Sequence, residues 1–316
     1  MSIIEVKDLN LGFNTEQGFR QALWDVSFSL NSGETLAIVG ESGCGKTVSA
    51  MSIMQLLPKN AGILSGDVIY NGKNLIGCDN KELQNIRGKK IALIPQDPMT
   101  SLNPLMTVGD QLKEVLKVHK NLSGHDAEKK AIEAFERVQI PSAKERLKSY
   151  PHEFSGGMKQ RAIIAMALAC EAEVLIADEP TTALDVTIQA QIMSIIRQIK
   201  SENNTAILLI THDLALVREN SDKVAVMYSG RIVETAPSEI FFNNPKHPYS
   251  KALLASLPSV RGKSLETIKG QPPTIHQDIV GCRFNPRCKN CMDVCKSSVP
   301  QLKEIETNHK CACHLY

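Results

Sequence analysis

The sequence has little net charge, no long apolar run and no pattern after Met1 that is typical of a secretion signal. Its formal net charge of +2 gives no strong electrostatic argument for a nucleic-acid or anionic-lipid partner. The longest unbroken apolar run, Ala162–Cys170, is far shorter than the ~20 residues that a membrane-spanning helix needs. No basic and then apolar segment follows Met1, as it would in a secretion signal. We therefore expect a cytosolic protein that associates with a membrane only through a partner.

Cysteine is sparse over most of the chain and concentrated near its end. Six of the nine cysteines lie between Cys282 and Cys313. In a reducing cytosol such a cluster is more often a metal site than a disulfide framework. Four thiolates can ligate Zn²⁺ or an iron–sulfur cluster, and spacing alone does not choose between them. Only Cys288 and Cys291 have the two-residue spacing that is typical of zinc sites.

Apolar runs alternate with helix-like segments over most of the chain. Half-buried strands are predicted before about Leu30, joined by the polar turn Asn14–Gly18. Further strands are predicted at Thr35–Val39, Lys90–Ile94, Val174–Ala177, Ala206–Ile210 and Val224–Met227. Helices are predicted from the phosphate loop described below to Leu57, at Val186–Lys200 and at Leu214–Glu219. This alternation is typical of an α/β fold with a mainly parallel, buried sheet.

Two regions depart from the alternation. Pro104–Tyr150 has no strand signal and many helix formers, which predicts a helical subdomain inserted at about 97–158. After about Ala236 the chain is rich in proline and has little capacity for a core of its own. We therefore expect one domain over 1–235 and a carboxyl-terminal extension over 236–316.

A phosphate-binding loop is predicted directly after the strand Thr35–Val39. Its sequence, Gly40-x4-Gly45-Lys46-Thr47, precedes a helix, which is the context that the motif requires. The glycines allow successive backbone N–H groups to face the phosphates, and the helix N-terminus adds its positive end. The ATP-binding residues expected here are Gly40, Ser42, Gly43, Cys44, Gly45, Lys46 and Thr47, with the Thr47 hydroxyl on Mg²⁺. Cys44 is either a small residue that fits or, if exposed, a target for oxidation.

Polar residues follow three of the predicted strands. Asp178 ends one strand, where its carboxylate can hold Mg²⁺, and the adjacent Glu179 can orient or deprotonate an attacking water. Gln96 follows a second strand and can ligate Mg²⁺ or bond the water. His212 follows a third, at the strand end where ligands bind in parallel sheets, and can contact the γ-phosphate.

Ser155-Gly156-Gly157 forms a second phosphate-binding surface, because it is a turn that leads into a helix. A single chain with one nucleotide has no evident need of two such surfaces. The surplus predicts that ATP is bound between two subunits.

In this order, the motifs over residues 1 to about 235 resemble the ATPase subunit of an ATP-binding cassette (ABC) transporter. The resemblance implies a RecA-like P-loop NTPase fold with amino-terminal antiparallel strands, and a signature that acts on ATP held by the other subunit. It matches Gly40–Thr47 to Walker A, Gln96 to the Q-loop, Val174–Glu179 to Walker B, Ala183-Leu184-Asp185 to the D-loop and His212 to the switch histidine. Phe13 occupies the place of an adenine-stacking aromatic, although an ordinary core phenylalanine is the alternative.

The signature Phe154-Ser155-Gly156-Gly157-Met158 and the tail segment Asn244–Leu254 are similar to the dipeptide/oligopeptide permease branch. That resemblance implies a [4Fe–4S] cluster on Cys282, Cys288, Cys295 and Cys313, with Zn²⁺ as the alternative and a metal-free or disulfide-bonded tail in third place. It also implies a peripheral subunit at the cytoplasmic face of the membrane. The implied partners are a second, paralogous ATPase subunit, two transmembrane permease subunits and an extracytoplasmic peptide-binding protein, with no nucleic acid.

Three alternatives remain open from the sequence. The first is an importer ATPase for another solute, such as nickel or glutathione. The second is a soluble ABC ATPase outside transport, although such proteins usually carry two ATPase cores or long inserts, and this chain has one copy of each motif. The third is a P-loop kinase or GTPase, which would leave the signature unexplained.

Overall fold

The computed structural model describes residues 2–182, 184–256 and 268–316, so the predicted D-loop residue Ala183 lies outside the described residues. The strands, in chain order, are β1 (Ser2–Thr15), β2 (Gly18–Asn31), β3 (Thr35–Val39), β4 (Ala61–Tyr70), β5 (Lys73–Asn74), β6 (Ile91–Ile94), β7 (Val174–Asp178), β8 (Ala206–Thr211), β9 (Lys223–Tyr228), β10 (Arg231–Pro237), β11 (Lys303–Glu306) and β12 (His309–Cys311). The helices are α1 (Lys46–Ile53), α2 (Asn80–Ile86), α3 (Pro98–Ser101), α4 (Val108–Lys120), α5 (Gly124–Arg137), α6 (Ala143–Arg146), α7 (Gly156–Leu168), α8 (Val186–Asn203), α9 (Leu214–Asn220), α10 (Ser238–Asn243), α11 (Pro248–Ala255) and α12 (Asp293–Ser297).

The chain forms two compact units. The first comprises Asn31–Gly33 and Gly77–Leu209. The second comprises Ser2–Leu30, Glu34–Ile76 and Ile210–Tyr316, so the tail belongs to the same unit as the amino-terminal strands.

In the second unit, one antiparallel sheet has the strand order β2-β1-β4-β5, as expected for the amino-terminal strands. Other strands of this unit follow the order β11-β12-β10-β9-β3. Strand β3 runs parallel to β9, whereas the pairs that join β9 to β10, β10 to β12 and β12 to β11 are antiparallel. The sheet is therefore mixed, and the prediction of a mainly parallel sheet does not extend to this edge.

In the first unit, the strands follow the order β8-β7-β6, and β6 runs parallel to β7. Every residue of β7 is buried, which explains why a strand covered on both faces appears in the sequence as a continuous apolar run. The region Pro104–Tyr150 forms α4, α5 and α6 without a strand, as predicted. Phe135 of α5 packs edge-on against Phe154, with 6.4 Å between the ring centroids.

The first helix after the phosphate loop is shorter than predicted. It ends at Ile53 rather than Leu57, because Gln55 takes a left-handed backbone conformation with a φ of 52° that a continuing helix excludes. Within the described residues, no helix combines the length and the apolar character needed to cross a bilayer.

The tail shares the core of the second unit. Strand β12 pairs with β10, with Cys311 opposite Glu234. Tyr249 and Phe284 lie against Tyr228 of β9, with ring centroids 4.6 and 5.1 Å apart. Without a core of its own, the tail is stabilised by burying its aromatic side chains on the strands of this unit.

Candidate nucleotide site

The phosphate loop begins where the buried strand β3 ends and closes where α1 begins. At Gly40 the loop passes so close to β9 that a Cβ atom would lie 2.2 Å from the Met227 carbonyl oxygen. Gly45 has a φ of 108°, which residues with a side chain rarely adopt. These two positions therefore require glycine, and they give the loop the tight turn that phosphate binding needs.

Lys46 is 5% exposed, and its ammonium group lies across the loop. Its Nζ donates hydrogen bonds to the carbonyl oxygens of Gly40 and Glu41, at 2.8 and 3.1 Å. Thr47 is half-buried in the first turn of α1, while Ser42 and Gly43 are exposed on the loop. The lysine charge is thus held at the loop, where phosphate oxygens can replace the carbonyl contacts.

Cys44 is buried within the same loop, and burial raises the pKa of its thiol. A protonated, buried thiol is a poor nucleophile. The structure therefore favours the interpretation of Cys44 as a small residue that fits the loop over that of an exposed oxidation target.

The first unit brings Gln96 and Glu179 together. Gln96 Nε2 and Thr182 Oγ1 donate hydrogen bonds to the same carboxylate oxygen, Glu179 Oε2, at 3.1 and 2.8 Å. Glu179 has a φ of 46°, a left-handed conformation that costs about 1 kcal/mol for a residue with a side chain. Such backbone strain is concentrated at functional sites. The hydrogen bonds from Gln96 and Thr182, two uncharged donors, thus orient the half-buried carboxylate of Glu179.

Asp178 ends β7 and is fully buried, next to Glu179 in sequence. A buried carboxylate needs compensating partners or a cation, and Mg²⁺ prefers oxygen ligands. The chemistry of Asp178 therefore fits the predicted role on Mg²⁺, and the hydroxyl of Thr47 and the amide of Gln96 are ligands of the same oxygen type.

Ser155 caps the thirteen-residue helix α7. Its Oγ accepts a hydrogen bond from the Met158 N–H at 3.3 Å, and Gly156 is exposed at the start of the helix. A Cβ on Gly157 would lie 3.2 Å from Ile188 Cγ2, which leaves little room for a side chain. The first turn of α7 has the form of an anion-binding helix N-terminus, as the sequence predicts for the signature.

His212 and Phe13 both belong to the second unit. His212 directly follows β8 and is exposed, and the neighbouring Asp213 caps α9 through hydrogen bonds to the N–H groups of Ala215 and Leu216. Phe13 is half-buried in β1, opposite Ala61 of β4. Their predicted contacts with the γ-phosphate and the adenine ring stay predictions.

The sequence did not predict two residues of the first unit that contact Glu179 or the residue after it. Thr182 contacts Glu179 as described, and Gln160 of α7 donates from Nε2 to the Pro180 carbonyl oxygen at 2.7 Å. Threonine and glutamine are common surface residues, so composition gave no signal for either. Their roles depend on turn and helix geometry that only the folded chain displays.

Cys282, Cys288, Cys295 and Cys313 line one small pocket, together with His247 and His314. Burial raises the pKa of Cys282 to about 11, and the Cys295, Cys313 and Cys288 thiols add to the rise. However, across residues 2–182, 184–256 and 268–316 no three His, Cys, Asp or Glu side chains are grouped so that they could hold a metal ion. The donor chemistry fits a thiophilic metal, and the geometry does not support the predicted cluster or Zn²⁺.

The loop and the Asp178-Glu179 pair define a P-loop nucleoside-triphosphatase. A family model described as ABC transporter matches residues 23–182. A second, described as the C-terminal region of oligopeptide/dipeptide transporters, matches residues 233–295. The chain belongs to the ABC transporter family, and to the branch of that family that carries the oligopeptide/dipeptide C-terminal region.

Relatives match almost the whole chain. It is 48% identical to the oligopeptide transport ATP-binding protein OppD of Escherichia coli, over 99% of this chain and 93% of that protein. It is also 48% identical to the dipeptide transport ATP-binding protein DppD of Bacillus subtilis, over 99% and 94% of the two chains. Among solved structures, the dimeric ATP-binding cassette MJ0796 bound to ADP and Pi has a TM-score of 0.68 and 25% identity, over 74% of this chain and 98% of that one.

Proposed function

We propose that this chain is the ATP-hydrolysing subunit of an ABC importer that takes up dipeptides or oligopeptides. The observation that carries the ATPase assignment is Glu179, whose carboxylate is oriented by Gln96 and Thr182 directly after the buried Asp178. The peptide assignment is supported by relatives named for oligopeptide and dipeptide transport, which match nearly the full chain.

Different residues of the site bind the phosphates, hold Mg²⁺, activate the attacking water and bind the adenine. Lys46 and the backbone N–H groups of Gly40–Thr47 bind the phosphates. Thr47, Gln96 and Asp178 would hold Mg²⁺, which neutralises phosphate charge when bound. Glu179 orients the attacking water and accepts its proton, and His212 contacts the γ-phosphate. Phe13 stacks on adenine, and the remaining loop residues Ser42, Gly43, Cys44 and Gly45 shape the phosphate site.

A second ATPase subunit completes each site. We infer that Ser155, Gly156 and Gly157 act on the γ-phosphate held by the partner subunit, which is supported by the exposed start of α7 and by a dimeric relative of known structure. Closure of the pair would move the helical subdomain (about 97–158) and the two permease subunits docked on it. An extracytoplasmic binding protein delivers the peptide, and the chain lies at the cytoplasmic face of the membrane.

We also propose that the ATPase domain spans 1–235 and that the extension 236–316 holds a metal centre. Cys282, Cys288, Cys295 and Cys313 would hold it, as a [4Fe–4S] cluster or, as the alternative, Zn²⁺. Its support is that these four thiols line one pocket and that the branch model covers three of them. The thiols would have to be drawn together and deprotonated on binding.

Replacing Glu179 with Gln tests the ATPase assignment. The variant keeps the shape of the side chain but removes the proton acceptor, so we expect hydrolysis to fall by at least about 100-fold while ATP binding is retained. Glu202→Gln, at the ion pair of Glu202 with Arg137 in the same unit, is the matched control and should hydrolyse ATP like the wild type. Wild-type turnover by Glu179→Gln would exclude Glu179 as the general base.

Metal analysis of an anaerobic preparation tests the proposed centre. We expect iron and sulfide at about four each per chain, as a [4Fe–4S] cluster requires, and their loss in a Cys282→Ser/Cys288→Ser variant. Cys291→Ser changes a thiol of the same segment outside the proposed set and should retain the metal. A colourless protein with zinc and no iron would contradict the cluster, and a metal-free protein would contradict any metal centre.

A further inference from the structure

A side chain of the tail, Arg287, forms an ion pair with Glu41 of the phosphate loop. Arg287 Nη1 and Nη2 donate to the two carboxylate oxygens of Glu41, at 2.6 and 3.0 Å, in a bidentate ion pair. The Arg287 side chain is 5% exposed and that of Glu41 27%, so water screens the pair only in part. This contact joins the second residue of the loop to a residue 246 positions further along the chain.

Arg287 is itself fixed in place. Its Nε donates to the Lys269 carbonyl oxygen at 3.1 Å, its Nη2 to that of Gly270 at 3.0 Å and its Nη1 to the Tyr228 hydroxyl at 3.3 Å. The hydrogen bonds to Glu41, more than any other cause, raise the pKa of Arg287. A guanidinium held by several acceptors is a preorganised partner for a carboxylate.

The tail also holds the backbone of the same loop residue. The Tyr249 hydroxyl accepts a hydrogen bond from the Glu41 N–H at 2.9 Å. The Tyr249 ring is fully buried and packs against Phe284, with 5.4 Å between the ring centroids. Glu41 is therefore bound at its N–H by Tyr249 and at its carboxylate by Arg287.

A second set of contacts links the tail to the phosphate loop near Cys44, through Gly230 and Trp24. The Gly230 N–H donates to the Cys44 carbonyl oxygen at 2.8 Å, and the Gly230 carbonyl accepts from the Trp24 N–H at 2.9 Å. Arg283 stacks on the Trp24 ring at 3.9 Å and donates to the Ser229 hydroxyl at 2.9 Å. The short segment that contains Arg283 and Arg287 thus reaches the surroundings of the loop at two places.

The charge of Glu41 explains why such a contact matters for an anion site. A carboxylate within a phosphate-binding loop opposes the approach of a nucleotide, because both are negatively charged. Their repulsion is stronger beside a partly buried side chain than in bulk water. Arg287 neutralises that carboxylate and fixes the residue that follows Gly40. Both effects favour nucleotide binding, the first electrostatically and the second because less freedom is lost when the phosphates bind.

We propose that tail segment 282–288, together with Tyr249, forms a brace that sets the affinity of the phosphate loop for ATP. Arg287 and Tyr249 are positioning residues, which act on the nucleotide through Glu41. This inference rests on the proposed binding of ATP at Gly40–Thr47. It assigns to the tail a role in nucleotide binding, which accounts for the burial of an arginine and a tyrosine against the loop.

Nucleotide affinity of the full-length protein tests the brace, with a fluorescent ATP analogue and Mg²⁺ as the probe. Arg287→Met leaves the Glu41 carboxylate charged and without its guanidinium partner. We therefore expect the dissociation constant of this variant for the ATP analogue to rise about tenfold. Adding Glu41→Gln removes the repelling charge. The dissociation constant of the double variant should therefore lie about threefold above that of the wild type, compared with about tenfold for Arg287→Met alone. Lys296→Met, which breaks an exposed ion pair with Asp293 in the same tail, is the control and should bind like the wild type.

The comparison distinguishes the brace from a general role in folding only when all variants unfold at the urea concentration of the wild type, since Glu41→Gln also relieves destabilisation by an unpaired carboxylate. Tyr249→Phe is a milder variant that keeps the packing and removes only the acceptor of the Glu41 N–H, and it should weaken binding about threefold. Wild-type affinity in both Arg287→Met and Tyr249→Phe would overturn the inference, as would a double variant no better than Arg287→Met. Failure of the wild-type protein to bind the probe would instead contradict the proposed function.

Discussion

At the scale of single residues, the oriented carboxylate of Glu179 is the feature that the sequence only half predicts. The Asp178-Glu179 pair directly after an apolar strand is the basis for predicting Glu179 as the general base, because ligands bind at the carboxyl ends of the strands in sheets of this kind. The partners Gln96 and Thr182 depend on a turn in which Glu179 adopts a left-handed backbone. No local pattern in the sequence predicts that turn.

Thr182→Val tests the role of that turn. The variant removes the hydroxyl that donates to Glu179 Oε2, so the carboxylate is less well oriented and kcat should fall about fivefold, which corresponds to about 1 kcal/mol. The affinity for MgATP should not change. Steady-state ATPase assays and nucleotide titration measure the two quantities, with Thr15→Val at the end of β1, where the hydroxyl donates to the Gly18 carbonyl oxygen, as the control. Weaker binding with unchanged kcat would contradict this assignment.

At the scale of secondary-structure elements, buried strands were predicted best. Strands β3, β7 and β8 lie within one residue of their predicted bounds, because strands buried on both faces leave continuous apolar runs. Strand β4 was missed, since its exposed and half-buried residues and two glycines hide the alternation. The hairpin β11–β12 was missed for a different reason: these strands are short, and the hairpin is stabilised because β12 pairs with β10, which is distant in the sequence.

The tail helix α11 gives a prediction about pH. Burial lowers the pKa of His247 from 6.5 to about 3, and the neutral His247 Nδ1 accepts a hydrogen bond from the Tyr249 N–H at 3.0 Å. The unfolded chain takes up a proton below pH 6.5 while the folded chain does not. The free energy of unfolding should therefore decrease by about 1 kcal/mol between pH 6.5 and 5.5 through this residue alone, and the slope approaches about 1.4 kcal/mol per pH unit at lower pH.

Urea unfolding between pH 7.5 and 5.5 measures that dependence. His247→Asn keeps a side chain that can cap α11 but cannot take up a proton in this range, so its stability should decline less steeply than that of the wild type. His125→Asn, at an exposed position of α5, is the matched control and should follow the wild type. Parallel profiles for His247→Asn and the wild type would show that His247 does not contribute to the pH dependence.

At the scale of the whole molecule, the sequence motifs predicted the ATPase class, and the comparisons confirmed the family. The tail is where the sequence was least informative. Its prolines and cysteines suggested an extension without a core, whereas the described part of it packs its aromatic residues on β9 and reaches the phosphate loop through Arg287. Ion pairs between residues so far apart in sequence arise from the fold, and a single sequence does not display them.

The function assigned to this chain is ATP hydrolysis that drives peptide import. The most direct measurement is the ATPase rate of the chain assembled with its second ATPase subunit and two permease subunits in lipid vesicles, with the binding protein on the opposite side. We expect that di- or oligopeptide-loaded binding protein stimulates hydrolysis and peptide uptake together, and that Glu179→Gln abolishes both. Stimulation by nickel or glutathione instead of peptides, or hydrolysis that no loaded binding protein changes, would contradict a role in peptide import.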